Sequence, residues 1–241
     1  MKKLICLFVL AFLSISLVFA KPTNAKKIFF NKNIYERYLN DPRPKNASTD
    51  AYYRALITPR YGETVVADLV DLFKGSTKND NELVELIMIF VQRLEYNLEE
   101  CQPGVIAIAD YPYVTLFRGT GTCWDKALLC VALLKEAGFD AVILYFKAVP
   151  LPNGGTDQHV AVGLASDSPR AINGWHYVEV SSSAPLGYVP KVTGQGSLDY
   201  DPQAIDQKVN KENFKKLGPV VIYLESGGKK YSPLVQSRLF K

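Results

Sequence analysis

Apolar positions recur along this chain at two different periods, and the change of period divides it. From Glu63 to Phe73, Val65, Val66, Leu69, Val70 and Phe73 fall on one side of a helix. Gly75-Ser76-Thr77 breaks the pattern. Asn79 or Asp80 then caps a second helix through Leu94, with Leu83, Leu86, Ile87, Phe90, Val91 and Leu94 as its stripe. On its other side Glu82, Glu85, Gln92 and Arg93 read as a solvated face. A third helix begins after Gly119-Thr120-Gly121. Thr122 suits an N-cap, Asp125 completes a capping-box pattern, and Gly138 suits the far end. Its stripe is Trp124, Ala127, Leu128, Val131 and Leu134.

Beyond Gly138 the period changes. Ala141 to Phe146 is an unbroken apolar run, as in a buried strand. Gln158 to Leu164 and Trp175 to Ser181 read as two further strands. Asp167, Pro169 and Asn173-Gly174 lie between them, so an antiparallel hairpin is expected. Val220 to Leu224 predicts another strand, and Pro202 to Leu217 a Lys-rich surface helix. Asn33 to Leu39 and Ser48 to Ile57 predict short helices. Leu98 to Thr122, with Pro103, Gly104 and Pro112, reads mostly as loop.

The 241 residues are 48% apolar and 22% charged, ordinary for a globular chain. Met1 to Ala20 has a basic start, an apolar run and a Val18-Phe19-Ala20 cleavage pattern, as in a secretory signal; an uncleaved anchor is the alternative. The expected compartment is the cell envelope or the exterior. Without Lys2 and Lys3, 26 basic residues remain against 24 acidic ones, which gives no support for a nucleic-acid partner. Asn46-Ala47-Ser48 is a glycosylation sequon. The expected organisation is a signal peptide over 1–20, a wrapping segment over 21–60, a core over 61–190, and an extension over 191–241 with one helix and one strand.

After the leader, Cys101, Cys123 and Cys130 remain, too few for a disulfide framework, although Cys101–Cys123 pairing is conceivable. Cys130 falls on a helix face seven residues past Cys123 and reads as core. Cys123 falls at the first position of its helix, where the positive end of the dipole favours a thiolate. The bland alternative is a small buried apolar residue. The same choice applies to His159 and Glu179, which could be a core histidine and a surface charge. Strand parity links them. His159 shares a face with Ala161 and Gly163, and Glu179 with Trp175 and Tyr177. In a hairpin whose paired residue numbers sum to about 340, Ala161 opposes Glu179. Glu179 is then a diagonal neighbour of His159, about 7 Å away or less between Cβ atoms. His176 points the other way and reads as structural. Together, Cys123, His159 and Glu179 form a candidate thiol triad.

The order and wording of these segments resemble the transglutaminase-like superfamily, within the papain-like cysteine-protease fold, in its compact prokaryotic form. The resemblance runs from about Glu82 to Pro190. It rests on Phe90-Val91-Gln92, Tyr111-Pro112, Gly121-Thr122-Cys123-Trp124-Asp125-Lys126-Ala127-Leu128-Leu129, Leu133-Leu134-Lys135-Glu136-Ala137-Gly138-Phe139, His159-Val160-Ala161-Val162, and Trp175 to Val180. It implies an α+β fold, with N-terminal helices and the nucleophile helix packed on an antiparallel sheet. It implies Cys123 as nucleophile, His159 as base and acid, and Glu179 as orienting acid, where the family usually has aspartate.

The implied activity is thiol-dependent acyl transfer, most simply hydrolysis of peptide or isopeptide amides in cell-envelope or extracellular peptides. The Cys123 N–H would be one oxyanion donor, with Tyr96, Tyr113 or Trp124 as sources of a second. No cofactor or metal is expected, and a membrane partner only through an uncleaved leader. The rivals are an amine-accepting cross-linker, a fold retained as a binding module without the chemistry, and a metal site on Cys123 and His159.

Overall fold

The computed structural model describes residues 28–42, 49–101, 109–150, 154–193 and 198–233. The leader, the sequon and the end of the chain lie outside them. Helices α1 (Lys32–Leu39), α2 (Asp50–Ile57), α3 (Val65–Ser76) and α4 (Asp80–Gln92) come first. Two-residue strands β1 (Glu95–Tyr96) and β2 (Thr120–Gly121) pair in parallel and flank α5 (Pro112–Arg118). Helix α6 (Cys123–Glu136) leads into β3 (Ala141–Pro150), β4 (Thr156–Ala165) and β5 (Trp175–Val178). Strands β6 (Lys191–Val192) and β7 (Leu198–Asp199) form a small ribbon. Helix α7 (Gln207–Lys216) and β8 (Val220–Tyr223) follow. The main sheet is antiparallel throughout, in the order β5-β4-β3-β8.

Helix α6 is the axis of the packing. Its contacts are with α2, α3, α4 and α5 on one side and with β3 and β4 on the other. Leu129 and Leu133 lie off the expected stripe, yet they are as buried as Leu128 and Val131, and Cys130 is buried as expected. A helix covered all round needs no polar face, so its pattern is weaker than that of a surface helix. Each buried Leu here contributes on the order of 2 kcal/mol. The fold is therefore α+β, with N-terminal helices and the Cys123 helix packed on an antiparallel sheet, as expected.

The sheet separates two clusters. Ile143, Val160, Val162, Leu164 and Val178 face the helices. Val142, Leu144, Phe146, Ala161 and Tyr177 face the other way, beneath Leu217 and Phe214. The β4–β5 register pairs Val162 with Val178 and Gly163 with Tyr177, so paired numbers sum to 340 as the parity argument assumed. Gly163 permits a close approach, because a Cβ there would lie 2.8 Å from a Val142 methyl. The α7 helix is less purely a surface element than its lysines suggest. The buried Asn210 accepts a bond from Val189 N and donates one to Gly187 O, both at 2.8 Å, and so fixes the chain that follows β5.

Candidate active site

The approach to Cys123 is more ordered than the loop expected there. Tyr111 to Leu116 leads into and forms most of α5, with Pro112 at the helix start, where its missing N–H costs nothing. Gly119 ends α5 in the left-handed conformation, φ 73°. Gly121 is needed for close approach, though to the protein itself rather than to a ligand. A Cβ there would lie 2.8 Å from Asp125 Cβ. The capping box forms in both directions: Thr122 Oγ1 accepts from Asp125 N, and Asp125 Oδ2 accepts from Thr122 N at 2.8 Å. Asp125 Oδ1 also accepts from Asp110 N at 2.6 Å, tying the preceding segment to the helix start. Cys123 is thereby fixed as the first residue of α6, half-buried. Neither Cys123 nor Cys130 is in a disulfide. Cys130 is wholly buried, and burial pushes its thiol up to about 12, which makes it inert.

His159 and Glu179 are brought together. The Nε2 atom of His159 lies 3.0 Å from Glu179 Oε2 and 3.1 Å from the Tyr177 hydroxyl, and both side chains are buried. Phe146, opposite His159 on β3, lies nearly parallel to the imidazole at 6.3 Å between ring centroids. Tyr177 donates to Glu179 Oε2 at 2.8 Å. The other carboxylate oxygen accepts from Val180 N, Ser181 N and Ser181 Oγ at 2.9, 2.8 and 2.6 Å. These bonds explain why β5 stops at Val178 rather than at Ser181: the next N–H groups turn to the carboxylate. Burial pushes the Glu179 carboxyl up. The His159 charge and the donors from His159 and Ser181 outweigh it and hold the group at about 2.

Two more residues complete the surroundings. Gln92, read from sequence as solvated, reaches back with Nε2 to the carbonyls of Glu179 and Ala184, both at 2.9 Å. The pattern of α4 carried no signal for it, because a helix-end polar residue looks the same free or clamped. Lys126 is fully buried one turn after Cys123. Its ammonium donates to the carbonyls of Gln92 and Leu94 at 3.2 and 3.0 Å. Burial pushes it down to about 8, and the charges of Glu179 and Cys123 push back upward. The Cys123 charge is also felt at Tyr177 and at Tyr145.

Of the side chains considered for a second oxyanion donor, Tyr113 is engaged elsewhere. Its hydroxyl bonds the backbone of Asn31. Trp124 stacks on Tyr53 at 4.9 Å and leans on Tyr145. His176 points to the opposite face from His159, against Ser168 and Tyr231. Among the described residues, no group of three or more His, Cys, Asp or Glu is placed to hold a metal ion.

No protein-family model matches the chain, and no curated protein is similar to it. Solved structures are. One, from Cytophaga hutchinsonii, is provisionally named a cysteine protease; it is 16% identical, with 76% of this chain and 55% of that one covered, at a TM-score of 0.37. The periplasmic domain of TgpA from Pseudomonas aeruginosa is 23% identical over 54% of this chain and 48% of that one, TM-score 0.37. A TGase is 13% identical over 71% and 42%, TM-score 0.40. These names are of the class that the sequence motifs resemble. The chain spans about half the length of each of these structures. At such scores the fold assignment rests on the elements and register of this chain.

Proposed function

We propose that this protein is a thiol-dependent acyl-transfer enzyme that hydrolyses peptide or isopeptide amide bonds, with Cys123 as nucleophile, His159 as base and acid, and Glu179 as orienting acid. The observation that carries the reading is the buried His159–Glu179 bond, whose carboxylate is held ionised, in a chain whose half-buried Cys123 opens a helix. A buried carboxylate with five donors is an expensive arrangement for structure alone. It is the usual way of keeping an imidazole in one tautomer.

Glu179 accepts, so the neutral His159 ring carries its proton on Nε2 and offers the Nδ1 lone pair to the thiol. The Cys123 thiolate forms a bond to the amide carbonyl carbon, and the carbonyl π electrons move to oxygen. The oxyanion is met by the N–H groups at the start of α6. As the C–N bond breaks, the proton held at His159 passes to the leaving amine. A water molecule then gives a proton to His159 and attacks the thioester, releasing the acid and the thiolate. Interception by an amine in place of water would make the same centre a cross-linker.

An extracytoplasmic site of action fits the leader read over residues 1–20 and the periplasmic origin of the TgpA domain. Among the described residues no helix is long and apolar enough to cross a membrane. The substrate class follows as an exported or envelope peptide or protein. The test is hydrolysis of a peptide library by the chain and by Cys123→Ala. The reading expects loss of at least about 1,000-fold in kcat/KM. Cleavage that survives Cys123→Ala would overturn it.

A further inference from the structure

The third-position glutamate has a companion that the motif does not announce. Tyr177 is two residues before Glu179, which follows β5 directly, and is wholly buried. Its hydroxyl is 2.8 Å from Glu179 Oε2 and 3.1 Å from His159 Nε2, while that nitrogen is 3.0 Å from the same carboxylate oxygen. We propose that Tyr177 is a positioning residue for the imidazole: the phenol O–H and the His159 Nε2–H share one oxygen of Glu179, and the phenol oxygen stands as a second acceptor for that N–H.

The geometry follows from the donors and acceptors available. An ionised carboxylate only accepts. Its Oε1 is filled by Val180 N, Ser181 N and Ser181 Oγ, which pin the end of the side chain. Oε2 is then left to Tyr177 and His159. A glutamate has one more rotatable bond than an aspartate and would otherwise swing. The backbone N–H groups hold one oxygen and the phenol holds the other, so the longer side chain is stiffened to present a fixed acceptor. Phe146 closes the ring from β3 without offering a polar group. From α6, Cys123 and Lys126 act on the cluster through their charges. Within the resting protein, Glu179 thus sets the Nε2–H tautomer, and Tyr177 holds the acceptor and the ring in one orientation.

This inference rests on reading His159 as the base, but its test does not need activity. The chain holds two histidines, so 15N-histidine spectra of the intact protein contain two rings, and His176 on the opposite face is an internal control. The wild-type His159 ring is expected as the Nε2–H tautomer with a slowly exchanging ring proton. Tyr177→Phe keeps the ring volume and removes one of two acceptors. His159 ring-proton exchange should then quicken by about five- to tenfold, the equivalent of one hydrogen bond, while His176 is unchanged. Where turnover is measurable, kcat should fall by a similar factor at constant KM.

A His159 Nδ1–H tautomer in the wild type overturns the proposal even if the variant fails to fold. So does unchanged exchange in a folded Tyr177→Phe. Quickened exchange in a protein whose Cys123 hydrolyses nothing would leave the positioning role standing and remove the enzyme.

Discussion

Two histidines on neighbouring strands, both nearly sealed from water, have opposite surroundings. His159 meets a carboxylate that is itself held by four other donors. His176 bonds the hydroxyl of Ser168 and packs edge-on against Tyr231, and its Nδ1 is buried with no hydrogen-bond partner. Burial, with the Arg170 charge adding to it, pushes His176 down to about 4. Burial by itself makes an imidazole a neutral packing group. A buried imidazole becomes a candidate base when an equally buried acid is built around it and kept ionised. The scaffolding differs accordingly: Gln92, Tyr177 and Ser181 converge on Glu179 or its backbone, and no comparable set serves His176.

The largest effect should come from removing the acid. Glu179→Ala strands the imidazole and four other donors in a buried site, and should cost about 3–5 kcal/mol of stability in denaturant unfolding as well as amide hydrolysis. His176→Phe should leave hydrolysis within a few-fold. Equal loss of activity in the two variants would erase the distinction drawn here.

Next is acid stability. The His176 pKa is lower in the folded protein than the ordinary 6.5, so between those values the unfolded chain binds the extra proton. Its contribution is complete above about pH 6.5 and is lost as pH falls toward 4, by roughly 3 kcal/mol for a shift of this size. The Glu179 carboxyl is also lowered, from the ordinary 4.5, so its contribution is complete above about 4.5 and fades toward 2. Chemical denaturation across pH should therefore show two acid limbs. His176→Phe should flatten only the upper one.

The smallest effect is at Gln92. Gln92→Ala removes two bonds to the chain that follows β5 and should cost about 1–2 kcal/mol. It should also lower turnover more than substrate affinity, since it touches the carboxylate only through its backbone. A pure KM effect would contradict that.

Much of this was legible in the sequence. The Thr122–Asp125 box, the start of α6 at Cys123 and the sum-to-340 register all follow from local rules of capping and strand parity. What was not legible depends on long-range closure. Tyr111 to Leu116 reads as loop because a seven-residue helix that opens on a proline has too little pattern. Gln92 and Lys126 carry ordinary helix-face and motif signals, yet one clamps the segment at Glu179 and the other is buried on the carbonyls that end α4. The bond from Tyr177 to Glu179 needs a side-chain turn at the end of β5 that parity does not encode.

The most direct measurement is the rate at which Cys123 is alkylated by iodoacetamide at neutral pH, in the intact chain and in His159→Ala, with Cys130 as the buried reference. Cys123 should react much faster than Cys130, and His159→Ala should slow it at least about tenfold. Equal Cys123 rates in the two proteins would mean that the imidazole does not act on the sulfur, and would contradict the account.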